Sequence, residues 1–216
     1  MAGRTPRIDR LDVVEYEPGD ESELVADAAI ELAAFHDADL SGRNLVGLSL
    51  TECELRSVAL EGTDLTAARV IDSRLVNLRT SRLSIPRSTI QNVRLDGSRI
   101  GALDLFESRI RSMAVTGCKS ELINLSGSQV RDVVFTDCSI GELDLTDATL
   151  TRISFHDCII GAIEVHGASL TDVDLRGARI TTMRHLDGLR GAIIDYAQLT
   201  DFATIFAAHL GVQVEE

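Results

Sequence analysis

Apolar residues return every five positions along most of this chain. From Val25 to Ile180 the series Val25, Ile30, Phe35, Leu40, Leu45, Leu50, Leu55 and onward fills 32 slots, of which only Thr80 and Ser120 are not apolar. A chain that is 44% hydrophobic would not do this by accident. A period of five matches neither the helix nor the strand, so no single regular element accounts for it. A short extended piece followed by a corner does. The residue two before each slot is mostly small or aliphatic (Ala38, Cys53, Ala68, Ser88, Ser108, Ala148), and the other three positions are Asp, Asn, Ser, Thr, Arg, Glu or Gly. Each unit therefore turns two side chains inward and three outward.

A ten-residue rhythm overlies the period of five. The secondary inward position is bulky at Leu83, Val93, Leu103, Met113, Ile123, Val133 and on to Val173, with small residues between. Such alternation fills a narrow interior without voids. Before residue 78 the rhythm has the opposite phase, with Leu48, Val58 and Leu78 bulky. The two phases collide at Leu78 and Leu83, beside Pro86, which predicts a bulge, an extra loop or an altered coil between residues 78 and 88.

Units such as Ala38-Asp39-Leu40-Ser41-Gly42, Thr63-Asp64-Leu65 and Val173-Asp174-Leu175-Arg176-Gly177 resemble the A-(D/N)-L-x-x motif of the pentapeptide-repeat family, over about three-quarters of the chain. The resemblance implies an all-β fold, a right-handed quadrilateral parallel β-helix. Four sides per coil give 20 residues per turn and about eight coils over residues 23–182, roughly 38 Å of stacked rungs. On such a coil the ten-residue rhythm puts bulk on two opposite faces.

Open β-helix ends expose unpaired strand edges and need covers. Residues 1–22, rich in charge and holding Pro18-Gly19, are expected as an irregular or disordered lead-in. Residues 183–216 are expected as a C-terminal cap. There Asp195 and Gln198 have capping-box spacing, Leu199, Phe202, Phe206 and Leu210 recur at helical intervals, and Gly211 supplies a stop, so a helix is predicted over 196–210. Leu189-Arg190-Gly191-Ala192 and His209-Leu210-Gly211 resemble the end of the mycobacterial fluoroquinolone-resistance pentapeptide proteins. That resemblance implies a two-fold homodimer through the helix, with Leu199, Phe202, Phe206 and Leu210 at the contact.

Composition narrows the chemistry. The N-terminal stretch has no apolar core of a signal peptide and no segment is long and apolar enough to span a membrane, so a cytoplasmic protein without membrane contact is expected. Cys53, Cys118, Cys138 and Cys158 form no CxxC pair, and the last three, 20 apart, should stack inward as small core fillers that react slowly. The histidines, His36, His156, His166, His185 and His209, are scattered, and no phosphate loop, zincin pair or nucleophile elbow occurs. No enzyme, metal site or cofactor is expected.

Charge supplies the remaining signal. The net charge is −13, divided as −10 over residues 1–68, +5 over 69–111 and −8 over 112–216. Phosphates would be repelled, so direct nucleic-acid binding is not expected. Outward columns should carry like charges: Asp64, Asp104, Asp144 and Glu164 in one, with Asn44 and Asn124 between them, and Arg79, Arg99 and Lys119 in another. The resemblance extends to proteins that protect bacterial DNA gyrase and topoisomerase IV from quinolones by mimicking B-form DNA. It implies a protein partner, DNA gyrase, met through an acidic surface built from Asp104, Asp144, Asp147, Glu164, Asp172 and Asp174. The Arg-rich waist over 69–111 interrupts that surface, and the alternative is a general protein-interaction scaffold.

Overall fold

The five-residue units close into a square coil. The computed structural model describes residues 5–12 and 14–215. Ten short strands follow one another in order up one side, from Glu17–Pro18 to Ala192–Ile193, giving a right-handed parallel β-helix of about nine turns. Every neighbouring pair is parallel, and partners lie 20 residues apart through the body of the coil, as in Arg69↔Thr89, Arg109↔Gln129 and Asp144↔Glu164. The slots of the sequence period point inward: Leu105, Leu125, Leu145 and Val165 form one buried column, and Phe135 and Phe155 stack in another with ring centroids 4.9 Å apart. Thr80 and Ser120 are half-buried, each with its hydroxyl on a backbone carbonyl. Val25 departs from the series. It is exposed, and Leu24 turns into the core in its place, because the chain enters the first full coil through a 3₁₀ turn at Glu21–Glu23.

The two phases meet without an inserted residue. Asp64↔Ser84 and Arg69↔Thr89 keep the 20-residue register through the junction, so neither bulge nor loop is present there. What changes is the coil itself. Up to residue 78 the strands are two to four residues long and interrupted, as in Ser49–Thr51 and Glu54–Arg56. Beyond it they fuse across the corner into eight-residue strands, first Thr89–Asp96 and then Arg109–Thr116. Side-chain size at the corner accounts for the switch. Cys53 and Ser73 are small, and each donates to the carbonyl two residues earlier, which holds a tight turn. Val93 and Met113 replace them one and two coils on and cannot make that bond, although Asn92 and Ser112 before them keep the left-handed φ of the corner, 52° and 56° against 48° at Asp72.

Ser88, Ser108 and Ser128 make the same bond at another corner, to the carbonyls of Pro86, Phe106 and Ser126. They also bond between coils, donating to the carbonyls of Leu65, Ile85 and Leu105 on the preceding coil, and the backbone N–H of Ser88 and Ser108 donates to the next hydroxyl up. No buried side-chain nitrogen or oxygen among the described residues lacks a partner. Gly101 is required on its strand, because a Cβ there would lie 2.4 Å from the carbonyl oxygen of Ser81 on the rung below.

The C-terminal end is capped, and the lead-in lies along the side of the coil. Expected as irregular or disordered over residues 1–22, the lead-in is laid along the coil in its described part and includes a paired strand at Glu17–Pro18. The Arg7 N–H donates to Asp132 at 2.9 Å, the Asp9 N–H to Ser112 Oγ at 2.8 Å, and Asn92 Nδ2 to the Arg10 carbonyl at 3.2 Å, while Arg94 donates to the Asp9 carbonyl. The segment thus steps down successive rungs of one corner, and Glu17–Pro18 then pairs with Ala33–Ala34 as the first rung. At the other end helix α1, Tyr196–His209, opens on the capping box of Asp195 and Gln198. Buried Gln198 also donates through Nε2 to the carbonyls of Leu175 and Ala178, at 2.7 and 2.8 Å, and so closes the last rung.

Candidate binding faces

Each outward column is built by one position of the repeat, and its chemistry begins with the backbone. Asp64, Asp144 and Asn124 each accept a hydrogen bond from the backbone N–H two residues on, at 2.9, 2.9 and 3.0 Å. The hydroxyl of Thr66 adds a 2.6 Å bond to Asp64, and these bonds hold the Asp64 carboxyl below the usual carboxylate range. The acidic column is therefore first a set of turn caps, with carboxylates exposed as a consequence.

The register stacks Asp104, Asn124, Asp144 and Glu164 in the order the sequence suggests. Their surroundings differ. Asp104 is buried and paired with Arg82 at 2.6 Å, so its charge is not offered outward. Glu164 pairs with His185 at 2.6 Å. Asp144 has no cationic partner within 4 Å among the described residues. The other three expected residues lie elsewhere: Asp147 at the next corner, exposed, Asp172 at the corner after that, half-buried, and Asp174 on the side beyond, bonded to Arg176 at 2.7 and 2.9 Å. Those bonds hold the Asp174 carboxyl below its ordinary range. The six carboxylates thus lie on two opposite sides of the rod and at both corners of the side between them.

The basic column is in register, with Arg79, Arg99 and Lys119 on successive rungs. The other waist arginines, Arg69, Arg74, Arg82, Arg87 and Arg94, point from other sides and corners. A segment of sequence is a stack of coils, not a face. The corner under the lead-in carries a feature that sequence reasoning missed. Asp132 and Arg152, one rung apart, form a buried bidentate pair with both contacts at 2.6 Å. Burial alone would raise the Asp132 carboxyl, but the bonds from Arg152 and from the Arg7 N–H hold it below the usual range. Nothing in the local sequence marks this pair, since corner residues elsewhere, such as Asp137 and Asp157, are exposed.

At the C-terminal end Phe202 is buried in the core and meets Phe206 edge-on at 6.1 Å, because it plugs the coil. It is therefore not free for a partner chain. The exposed apolar side chains of this end are Tyr196, Leu199, Leu210, Val212 and Val214. The cysteines are all buried and free, and the neighbouring Cys138 thiol together with desolvation pushes the Cys158 thiol pKa up. No cluster of metal-ligating side chains occurs among the described residues, and no helix is long and apolar enough to cross a membrane.

A family model described as "Pentapeptide repeats" matches residues 33–69, in 8 copies. No curated protein matches the chain in sequence. Among solved structures, trypsin-treated QnrB1, a plasmid-mediated fluoroquinolone resistance protein, is similar at 16% identity, covering 88% of this chain and 93% of that one with a TM-score of 0.35. HetL, a pentapeptide-repeat protein involved in heterocyst differentiation regulation from the cyanobacterium Nostoc, is similar at 14% identity, covering 77% and 89% with a TM-score of 0.28.

Proposed function

We propose that this chain, which matches the pentapeptide-repeat family over residues 33–69, is a non-enzymatic binding rod whose acidic C-terminal half enters a cationic groove built for DNA, that of DNA gyrase or topoisomerase IV, and so alters quinolone sensitivity. The observation that supports this reading is the outward carboxylate ladder on a rigid coil, with Asp144 and Glu164 in direct register and Asp147 exposed beside them. A groove that holds phosphates attracts regularly spaced carboxylates by the same electrostatics. The rod is a homodimer in this reading, joined at the C-terminal end through Leu199, Leu210 and the apolar tail, with Phe206 at the edge of the contact and Phe202 behind it.

The test is inhibition of gyrase supercoiling by the wild-type protein. Inhibition at micromolar concentration is expected, weakened by Asp144→Lys with Glu164→Lys. No inhibition at that concentration ends the gyrase reading and leaves a scaffold for another protein partner. One observation favours that second reading: the carboxylates occupy two opposite sides and the corners between them, while one face of the rod carries none over seven rungs.

A further inference from the structure

That face lies between the Asp147 corner and the Asp132 corner. Its outward positions are the residues on either side of each slot from Leu50 to Leu170, held in register by seven consecutive rungs. In a chain of net charge −13 it holds no Asp or Glu from Ser49 to Thr171. It holds Arg69, Arg109, Arg111 and Arg131, with Gln91 and Gln129 beside them and almost only threonine and serine elsewhere. Arg109 and Arg111 flank Ile110 on one rung, and Arg131 stands directly above Arg111. Cations on neighbouring rungs are only about 5 Å apart at the backbone, a repulsive arrangement. Yet Arg69, Arg109 and Arg111 have no carboxylate within 4 Å among the described residues, and Arg131 reaches only Asp132, at 3.5 Å, which is already committed to Arg152.

We propose that this face is a docking strip for an extended acidic segment of a partner protein, laid along the rod axis with its carboxylates on Arg109, Arg111 and Arg131. The planar guanidinium matches a carboxylate with two parallel bonds, and the threonine and glutamine side chains supply further donors. Width decides between a peptide and a nucleic acid. The strip is one side of the square, about 10 Å of extended backbone. It is bordered by Arg87, Glu107 and Asp147 at one corner, and at the other by Asp72, Asp172 and, between them, lead-in residues 7–10 laid on Asn92, Ser112 and Asp132. A narrow segment fits between these borders. A duplex would overlap them and meet like charge, and the strip offers no aromatic side chain on which a single strand could stack. This proposal does not depend on gyrase.

The experiment uses the full chain and a fluorescein-labelled deca-glutamate peptide, followed by anisotropy at low and moderate salt. Saturable binding that weakens as salt rises is expected. Arg109→Gln with Arg111→Gln should lower the affinity at least tenfold, and Thr149→Glu, which places a carboxylate on the same strip, should also lower it. Arg176→Gln, on another side, should leave it unchanged. No binding of the peptide, or equal loss from Arg176→Gln, overturns the proposal. So does tighter binding of a DNA duplex than of the peptide, which would make the ligand a phosphate backbone.

Discussion

Replacing Asp132 with alanine should be among the most damaging single changes outside the apolar core. The substitution removes two 2.6 Å bonds to Arg152 and a 2.9 Å bond from the Arg7 N–H, and it leaves the Arg152 guanidinium buried without a counter-ion. Both side chains are more than nine-tenths buried, so solvent does not compensate. Breaking a buried pair from one side costs about 3–5 kcal/mol. In a domain of this size that lowers the melting temperature by on the order of 10 °C. Because the Asp132 pKa is lowered in the folded protein, the pair contributes fully above the unfolded carboxylate value near 4 and is lost as pH falls below it. The gap between wild type and Asp132→Ala should therefore close on acidification from about pH 4 downward. Differential scanning calorimetry over pH measures both effects, and hydrogen exchange should show the amides of residues 7–10 exchanging faster in the variant. Asp132→Leu with Arg152→Met, which removes both charges, should recover most of the loss. A variant melting within about 1 °C of wild type at pH 7 would show that the pair does not hold this corner.

Other expectations follow from the same packing. Leu145→Asp, in the middle of a buried column, should cost several kcal/mol in a denaturant titration, whereas Asp147→Asn, exposed and tolerant of its left-handed φ of 54°, should change stability by less than about 0.5 kcal/mol. Gln198→Ala loses the two bonds that close the last rung and should destabilise by about 1–3 kcal/mol, with proteolysis beginning in the helix rather than in the coils. A thiol-labelling reagent at pH 8 should modify none of the four cysteines quickly until denaturant is added. Rapid native labelling of Cys158 would contradict its burial and its raised pKa.

The coil was legible because its information is local and repeated. The inward slots, the capping box at Asp195 and the change of phase at Leu78 all act within a few residues. Surface chemistry was legible only in part. Counting charge along the sequence described Arg69, Arg74, Arg79, Arg82, Arg87, Arg94 and Arg99 as a patch, but five-residue steps send consecutive arginines to different sides. Taking every twentieth residue recovered the Asp104 and Arg79 columns, and the same procedure on the positions flanking Leu50 through Leu170 would have exposed the carboxylate-free strip. Asp104 could not be seen as paired, since its partner Arg82 belongs to the coil below. The hold of Asp132 and Ser112 on residues 7 and 9 spans 125 and 103 positions and leaves no periodic trace.

Asn124 and Asp144 stand on adjacent rungs and accept the same bond from the backbone two residues on, at 3.0 and 2.9 Å. The turn requires an oxygen there and is indifferent to whether an amide or a carboxylate carries it. Charge at this position is thus inherited independently of foldability. A lineage of such rods can pass from anionic to neutral at this position one codon at a time without losing the turn. The scaffold stays constant while the electrostatic pattern drifts under selection by whatever it meets.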